Sequence, residues 1–178
     1  MPMPMRIRNG TDADAAAAAA VVRRVLDEHG LPFEPRRLDA DVLAPTSSYR
    51  AGGGAFFVAV DAAGRVVGTA GLLRTGPGAG EVRRVFLLPE ARGRGVGRAL
   101  LEAVLDAAGA RGMRRLTLTT RHRYDRAIRL YERAGFRPVG AGRQRAGDPG
   151  LAYALDLAPA PGRVPARTAA GAPLPAFA

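Results

Sequence analysis

The stretch that decides the fold is residues 82–108, which reads VRRVFLLPEARGRGVGRALLEAVLDAA. Its first seven residues are rich in β-branched, aromatic and aliphatic side chains, and Pro89 follows them, which predicts a strand that ends there. From Val96 onward the apolar residues recur at i, i+4, i+5, i+8 and i+9, which predicts an amphipathic helix over residues 96–108. A glycine-rich loop joins the two. A strand, a glycine loop and a helix in this order are typical of an α/β domain.

The loop itself has the composition of a pyrophosphate-binding site. Glycines let backbone N–H groups approach an anion closely, the helix start adds free N–H groups, and neighbouring arginines add positive charge. A P-loop is excluded because it requires a lysine and the chain has none. A dinucleotide-binding GxGxxG is excluded as well, because Arg98 or Leu100 occupies the third glycine position. An Arg-x-x-Gly-x-Gly pattern remains, and a ligand-free glycine turn stays open as the alternative.

Working outward from the loop, the chain alternates between strand and helix patterns with no internal repeat. Gly135 is predicted to end the last helix in a left-handed conformation. The pattern favours an α/β fold with a mixed sheet in one domain over residues 6–157, after a frayed start (1–5) and before a disordered Ala/Pro-rich tail (158–178). The predicted strands are residues 6–9, 55–60, 65–73, 82–88, 115–120 and 151–157, the helices are residues 12–28, 38–43, 96–108 and 125–134, and a loop is expected over residues 75–80.

Composition excludes several classes of function. The chain has 178 residues, no cysteine and two histidines, so disulfides, a thiolate nucleophile and a metal site are not expected. No apolar run is long enough to span a membrane, and a cytoplasmic location is the default expectation. The net charge of +11 comes from arginines scattered along the chain without interleaved aromatics. A solvated surface with a biased amino-acid composition, or the binding of an anionic cofactor, explains this charge better than the binding of nucleic acid does.

A second motif lies downstream of the loop. Residues 127–136 read AIRLYERAGF, and residues 85–89 read VFLLP immediately before the loop. Together with Arg92-Gly93-Arg94-Gly95-Val96-Gly97, these segments resemble the signatures of the GNAT superfamily of N-acetyltransferases. The resemblance extends over about residues 6–157. It implies a central sheet that splays between its fourth and fifth strands, helices on both faces, and acetyl-CoA as the co-substrate.

The resemblance also implies which residues hold acetyl-CoA. Tyr124 stands where many members carry an asparagine, so a hydroxyl replaces the usual amide or the ring simply packs. Backbone groups of three strand residues would meet the pantetheine arm and the thioester, and the loop would hold the pyrophosphate. The implied set is Val85, Phe86 and Leu87 on the strand, Arg92, Gly93, Arg94, Gly95, Val96, Gly97 and Arg98 in the loop, and Tyr124.

Two residues are candidates for catalysis. Tyr131 matches the tyrosine that in the family lies near the cofactor sulfur, and a phenol is a suitable proton donor to a thiolate. A core tyrosine on an apolar helix face remains the alternative. Glu81 begins the cofactor strand and is the candidate general base through water, or else a surface partner of Arg83 or Arg84. Regular alternation predicts that Glu81, Arg83, Val85 and Leu87 share one face, unless a β-bulge intervenes.

The sequence does not identify the acceptor. A primary amine on a small molecule, peptide or protein fits the resemblance, and direct attack in a ternary complex needs no nucleophilic side chain. Asp39 and Asp41 are expected to be a helix cap and a solvated face, and His122 is expected to be an exposed loop residue with a lesser claim to proton transfer. A non-catalytic acyl-CoA-binding or sensor module on the same fold, and a homodimer as the assembly, both stay open.

Overall fold

A seven-stranded mixed sheet forms the centre of the structure, a computed structural model that describes residues 5–142 and 150–158. The strand order is β1-β2-β3-β4-β5-β7-β6, in which β4 and β5 are parallel and all other neighbours are antiparallel. The strands are β1 (Arg6–Asn9), β2 (Ala55–Val60), β3 (Val66–Gly76), β4 (Ala79–Leu87), β5 (Arg115–Arg121), β6 (Arg137–Gly142) and β7 (Gly150–Asp156).

Among the described residues, three α-helices flank the sheet. They are α1 (Ala15–Glu28), α2 (Val96–Ala110) and α3 (Asp125–Arg133). Short 3-10 helices occur at Asp12–Asp14, Ala40–Leu43 and Pro89–Ala91, and a π-helical turn covers Thr46–Arg50. The three long helices were predicted, α1 from its cap and stop signals and α2 and α3 from apolar spacing, and they are confirmed. Gly135 ends α3 with a φ of +97° as expected. No helix among the described residues is long and apolar enough to cross a bilayer.

The apolar residues divide into one core on each face of the sheet. The alternation of β2 determines this division, since Ala55 and Ala59 face α2 while Phe56 and Val58 face α1. On one side, Leu100, Leu101 and Val104 of α2 are buried together with Leu72, Val82 and Leu116 of the sheet. On the other side, Ala18, Val22 and Leu26 of α1 cover Phe56, Val58 and Val60. The predicted mixed sheet with helices on both faces is confirmed.

Two predictions about the strands are wrong. The loop expected over residues 75–80 is a tight hairpin, in which β3 continues to Gly76 and β4 begins at Ala79, so only Pro77 and Gly78 form the turn. The glycine content of this segment is typical of a loop, although its backbone forms the paired ends of two strands. β6 was missed altogether, because its residues are mostly exposed, include Pro138 and lack a buried face. As an edge strand it pairs with β7 alone.

Charged residues tie the first strand to the first helix. Both terminal guanidinium nitrogens of Arg8 in β1 donate to the carboxylate of Asp14 at 2.7 and 2.8 Å. Asp14 also accepts the backbone N–H of Thr11 at 2.9 Å, which completes a capping box at the start of the helical segment. Arg8 above all lowers the pKa of Asp14 to about 2. The predicted frayed start and tail fall outside the described residues, apart from Met5 and Ala158.

Candidate active site

The parallel strands β4 and β5 separate after three paired positions. Ala79 pairs with Arg115, Gly80 with Leu116 and Glu81 with Thr117, and no pair follows them among the described residues. Beyond this point the facing edges of the two strands lack their ladder partners, so backbone N–H and C=O groups are available to a ligand. The splay expected between the fourth and fifth strands is therefore present. An extended, amide-containing molecule can pair with the open edge of β4.

A β-bulge interrupts β4 at the fork. Gly71 of β3 pairs with Arg83 and Thr69 pairs with Phe86, so two residues of β4 lie opposite one of β3. Arg84 has a φ of +56° and is the only described non-glycine residue with a positive φ. Its carbonyl accepts a hydrogen bond of 2.7 Å from the buried Thr69 hydroxyl, which stabilises the irregular backbone.

The bulge corrects the prediction that four alternate residues share one face. Val85 and Leu87 lie against the α2 core together with Val82, whereas Phe86 lies against the α1 core. By alternation from Val82, Glu81 and Arg83 face the α1 side. The extra residue at the bulge reverses the alternation, so Glu81 and Val85 lie on opposite faces of the sheet.

The Arg84 side chain enters a buried polar cluster on the α1 side. Its guanidinium binds Asp39 Oδ1 at 2.7 Å and both oxygens of Asp41 at 2.7 and 2.9 Å, and it also donates to the Leu38 carbonyl. The hydroxyl of the buried Tyr49 donates to Asp41. The expectation for the two aspartates is wrong: Asp39 is fully buried and Asp41 half-buried, because their partner lies more than forty positions away in the chain.

The glycine loop enters α2 through two residues with positive φ. Gly93 and Gly95 have φ values of +73° and +76°, which side-chain-bearing residues rarely adopt. Gly97 is buried in the first turn of α2, where a Cβ would lie 3.1 Å from Leu87 Cδ1. The first N–H groups of α2 have no acceptor within the helix and point toward the loop. Together they form a compact set of donors for a phosphate.

The arginines of the loop have different roles. Arg92 donates from Nε to the Leu87 carbonyl at 3.0 Å and pairs with Glu28 of α1 at 2.8 Å, so it fastens the loop to β4 and α1. Arg98 is exposed and pairs with Glu102 at 2.7 Å. Arg94 is exposed and does not line the cleft that the other loop residues border.

A cleft of about 1750 Å³ runs from the fork to the loop. Nine arginines and three carboxylates among the described residues line it, so its potential favours an anionic ligand. The structure brings most of the predicted site residues to this cleft: Glu81, Val85, Phe86, Leu87, Arg92, Gly93, Gly95, Val96, Gly97, Arg98, Tyr124 and Tyr131. No group of three or more metal-ligating side chains occurs among the described residues.

The two candidate catalytic residues lie on different walls. Tyr131 is 7% exposed and packs edge-on against Phe136, with ring centroids 6.0 Å apart. Burial raises the pKa of its phenol far above the ordinary value, so the hydroxyl keeps its proton at neutral pH. Glu81 is the last paired residue of β4 at the fork, and its carboxylate lies 3.9 Å from Arg83 Nε. Both alternatives for Glu81, base and ion-pair partner, are compatible with this position.

His29 is a cleft residue that the sequence patterns did not indicate. His29, at the end of α1, lies against Tyr124 with ring centroids 4.5 Å apart and closes one side of the cleft. Burial lowers the pKa of His29, and Arg92, Arg123 and Arg121 lower it further against the opposing effect of Glu28. The imidazole is therefore favoured in its neutral form. No spacing in the sequence links His29 to Tyr124; His122, the histidine considered instead, is exposed and does not line the cleft.

Comparison with known proteins places the chain in a family. The family described as "Acetyltransferase (GNAT) family" matches residues 22–136. An IAA acetyltransferase of Azospirillum brasilense is 40% identical over 85 residues, which are 47% of this chain and 56% of that protein. The N-alpha-acetyltransferase RimI of Mycobacterium tuberculosis is 33% identical over 116 residues, 64% of this chain and 66% of that protein. The chain thus spans only about half the length of the first of these relatives.

Solved structures share the fold. The acetyltransferase yncA of Salmonella typhimurium, determined with acetyl-CoA, superposes with a TM-score of 0.72 over 86% of this chain and 94% of its own, at 23% identity. The match to the family extends from α1 to the end of α3 and includes the fork, the bulge and the glycine loop. On this evidence the chain belongs to the GNAT family of acetyltransferases.

Proposed function

We propose that the protein is an acetyl-CoA-dependent N-acetyltransferase that transfers the acetyl group to a primary amine by direct attack in a ternary complex. The observation that carries this proposal is the continuity of the β4–β5 fork with the glycine loop in one cationic cleft. The fork accepts an extended amide chain, and the loop accepts a pyrophosphate. Coenzyme A contains both an amide-bearing pantetheine arm and a pyrophosphate, so one end of the cleft would suit each of these two parts.

The cofactor would lie along the open edge of β4, the glycine loop and Tyr124. Backbone groups of Val85, Phe86 and Leu87 border the open edge of β4 and would pair with the pantetheine amides. The loop from Gly93 to Arg98 would hold the pyrophosphate through its N–H groups and the start of α2. Tyr124, held against His29, would meet the pantetheine with its ring or its hydroxyl.

Acetyl-CoA supplies an acyl group activated as a thioester, and the protein must stabilise charge and move protons around it. A backbone N–H near Phe86 or Leu87 would donate to the thioester oxygen as negative charge develops there. Tyr131, protonated and buried beside the fork, would donate a proton to the departing sulfur. Glu81 would accept the proton of the amine through water from the α1 side of the sheet.

The absence of cysteine allows a direct assay of turnover with a thiol-reactive dye. Because the chain contains no thiol, a thiol-reactive dye reports only coenzyme A that is released by turnover. We expect acetyl-CoA to raise the melting temperature, and we expect at least one member of a panel of amino acids, polyamines, aminoglycosides and peptide N-termini to release free coenzyme A. Mass spectrometry of the acceptor would show an acetyl group on nitrogen.

Each other outcome has a distinct meaning. Failure of acetyl-CoA to stabilise the protein would refute the cofactor assignment. Stabilisation without turnover across the amine panel, together with acetylation of neither alcohols nor thiols, would instead favour a non-catalytic acyl-CoA-binding module. Acetylation of a hydroxyl or thiol would support the cofactor assignment and contradict the assignment of an amine as the acceptor.

A further inference from the structure

The segment that joins α1 to β2 borders the cleft on the α1 side of the sheet. It contains short 3-10 and π-helical turns and no strand, so side-chain contacts and not a strand ladder hold it in place. Leu38, within this segment, lines the cleft together with Glu81. We refer to residues 38–49 as the wall segment. Because the candidate base Glu81 also faces the α1 side, the wall segment would meet the acceptor.

Arg84 of β4 fastens the wall segment to the sheet. Its side chain is only 9% exposed and binds Asp39 and Asp41 at 2.7 to 2.9 Å. It also donates to the backbone carbonyl of Leu38, the cleft-lining residue. A shift of the wall segment would leave a buried carboxylate without its charge partner, so these contacts define one position for the segment.

The backbone of Arg84 is also the irregular point of the β-bulge. Its φ of +56° is disfavoured for a residue with a side chain, so the surrounding contacts must maintain it. The Thr69 hydroxyl donates to the Arg84 carbonyl at 2.7 Å, and Thr69 pairs with Phe86, which lines the cleft two residues further along β4. One residue therefore joins the wall segment through its side chain and the open edge of β4 through its backbone.

Tyr49 forms a second connection between the wall segment and the bulge. Its hydroxyl donates to Asp41, and its ring is fully buried. The ring lies on the backbone of β3, since a Cβ at Gly71 would be 2.6 Å from Tyr49 Cε1. Gly71 pairs with Arg83, the residue immediately before Arg84. The wall segment thus contacts the strand pair at the position where its regular alternation breaks.

We propose that Arg84 is a positioning residue that sets the distance between the acceptor and the acetyl group, and that it thereby contributes to acceptor specificity. This rests on the proposed function, in which a backbone N–H near Phe86 or Leu87 receives the developing charge. The guanidinium touches no reacting atom. It would hold the wall that receives the amine against the backbone that orients the thioester. Direct attack requires such geometry, because a displacement of about 1 Å costs roughly a hundredfold in rate.

The test uses two variants of the cluster and one control. Arg84→Lys keeps the positive charge and loses the forked donors that join the two aspartates. Tyr49→Phe keeps every charge and the ring, and it removes only the hydroxyl at Asp41. The control Arg8→Gln breaks the ion pair with Asp14, and neither of those residues lines the cleft.

Steady-state kinetics with the best and the second-best amine, and calorimetry with acetyl-CoA, are measured below the lowest melting temperature of the set. In Arg84→Lys, kcat/KM for the best amine should fall by about thirtyfold while the Kd for acetyl-CoA stays within about threefold. The ratio of kcat/KM between the two amines should shrink by about fivefold, because a displaced wall discriminates less. Tyr49→Phe should show the same pattern at about threefold to tenfold, and Arg8→Gln should match the wild type within about twofold.

Three results would overturn the role of Arg84. An unchanged kcat/KM and amine ratio in Arg84→Lys, with a lower melting temperature, would mean that Arg84 only stabilises the fold. A parallel loss of acetyl-CoA affinity would place its effect on the cofactor. An equal loss of activity in Arg8→Gln would assign the effect to reduced stability.

Two further outcomes separate this inference from the proposed function. If the wild type acetylates no amine, the proposed function is refuted and the inference with it. If the wild type is active and the cluster variants behave like it, the inference alone is refuted. Should Arg84→Lys fail to fold, Tyr49→Phe decides, because wild-type kinetics and specificity in that variant would contradict the positioning role.

Discussion

Tyr131 packs in the core and also borders the cleft, where the proposed function gives it the role of proton donor. Its ring is buried against Phe136, while its helix face lines the cleft beside the fork. Among the described residues no hydrogen bond engages its hydroxyl, so the group is available to a ligand. Because burial raises the pKa of the phenol, the hydroxyl keeps its proton at neutral pH.

We expect Tyr131→Phe to separate catalysis from binding. The substitution keeps the ring and its packing and removes the proton donor, so kcat should fall by about a hundredfold while the Kd for acetyl-CoA stays within about threefold. Steady-state turnover and calorimetry measure the two quantities. A proportional loss of both, or an unchanged kcat, would mean that Tyr131 only packs.

Glu81 requires a comparison with its neighbour Arg83. If Glu81 accepts the amine proton, Glu81→Gln should lower kcat by about tenfold to a hundredfold, whereas Arg83→Gln should leave kcat within about threefold of the wild type. Steady-state turnover measures both. An equal loss of kcat in the two variants would assign Glu81 to the 3.9 Å ion pair instead.

At the scale of elements, the glycine loop needs glycine because of its backbone conformation and not because a side chain would lack room. A Cβ at Gly95 would meet no atom within 4 Å, yet the φ of +76° disfavours any residue with a side chain. Gly109 within α2 also has open space around it but has no positive φ, so it provides a matched control.

Gly95→Ala should therefore cost about 1 kcal/mol in the left-handed conformation, and the loop should relieve this strain by moving. We expect weaker acetyl-CoA binding with little change in the melting temperature of the unliganded protein. Gly109→Ala should raise the melting temperature and leave the Kd for acetyl-CoA unchanged. The same Kd for Gly95→Ala and the wild type would argue against a phosphate at this loop.

The bulge of β4 is held by the cluster of Arg84, Asp39, Asp41 and Tyr49. Arg84→Met removes the guanidinium that binds the fully buried Asp39 carboxylate, so it should lower the free energy of unfolding by about 3 kcal/mol. Urea denaturation measures the loss. Asp39→Asn added to Arg84→Met should recover part of it, because the uncompensated charge is then absent; no recovery would mean that the bulge itself was lost.

Across the whole molecule, the pair between Arg8 and Asp14 joins the first strand to the first helix. Arg8 depresses the pKa of Asp14 in the folded state to about 2 from an unfolded value near 3.8. The stabilisation is complete above pH 3.8 and is lost as the pH falls through about 2. The difference in unfolding free energy between the wild type and Asp14→Asn should shrink over this window, as urea denaturation from pH 5 to 2 would measure. If the difference in unfolding free energy stayed constant with pH, the ion pair between Arg8 and Asp14 would not be the source of the stabilisation.

Most of the fold was predictable because its signals are local. The apolar spacing of α2, the alternation of β5 and the cap at Gly135 each extend over a few residues, so the sequence alone determines them. The hairpin after β3 and the edge strand β6 were not predictable, because glycine, proline and exposure obscured strands that only pairing with a neighbour reveals.

By itself, the sequence determined the family, the three long helices with most of the strands, and the loop that would hold a pyrophosphate, because each depends on residue types at fixed short spacings. Only the tertiary structure decided which residues meet. It reversed the alternation at the bulge, buried Asp39 beneath Arg84, packed His29 against Tyr124 and brought the arginines of α3 to the same cleft as the loop. These contacts depend on strand register and on the packing of distant segments, which no local spacing encodes.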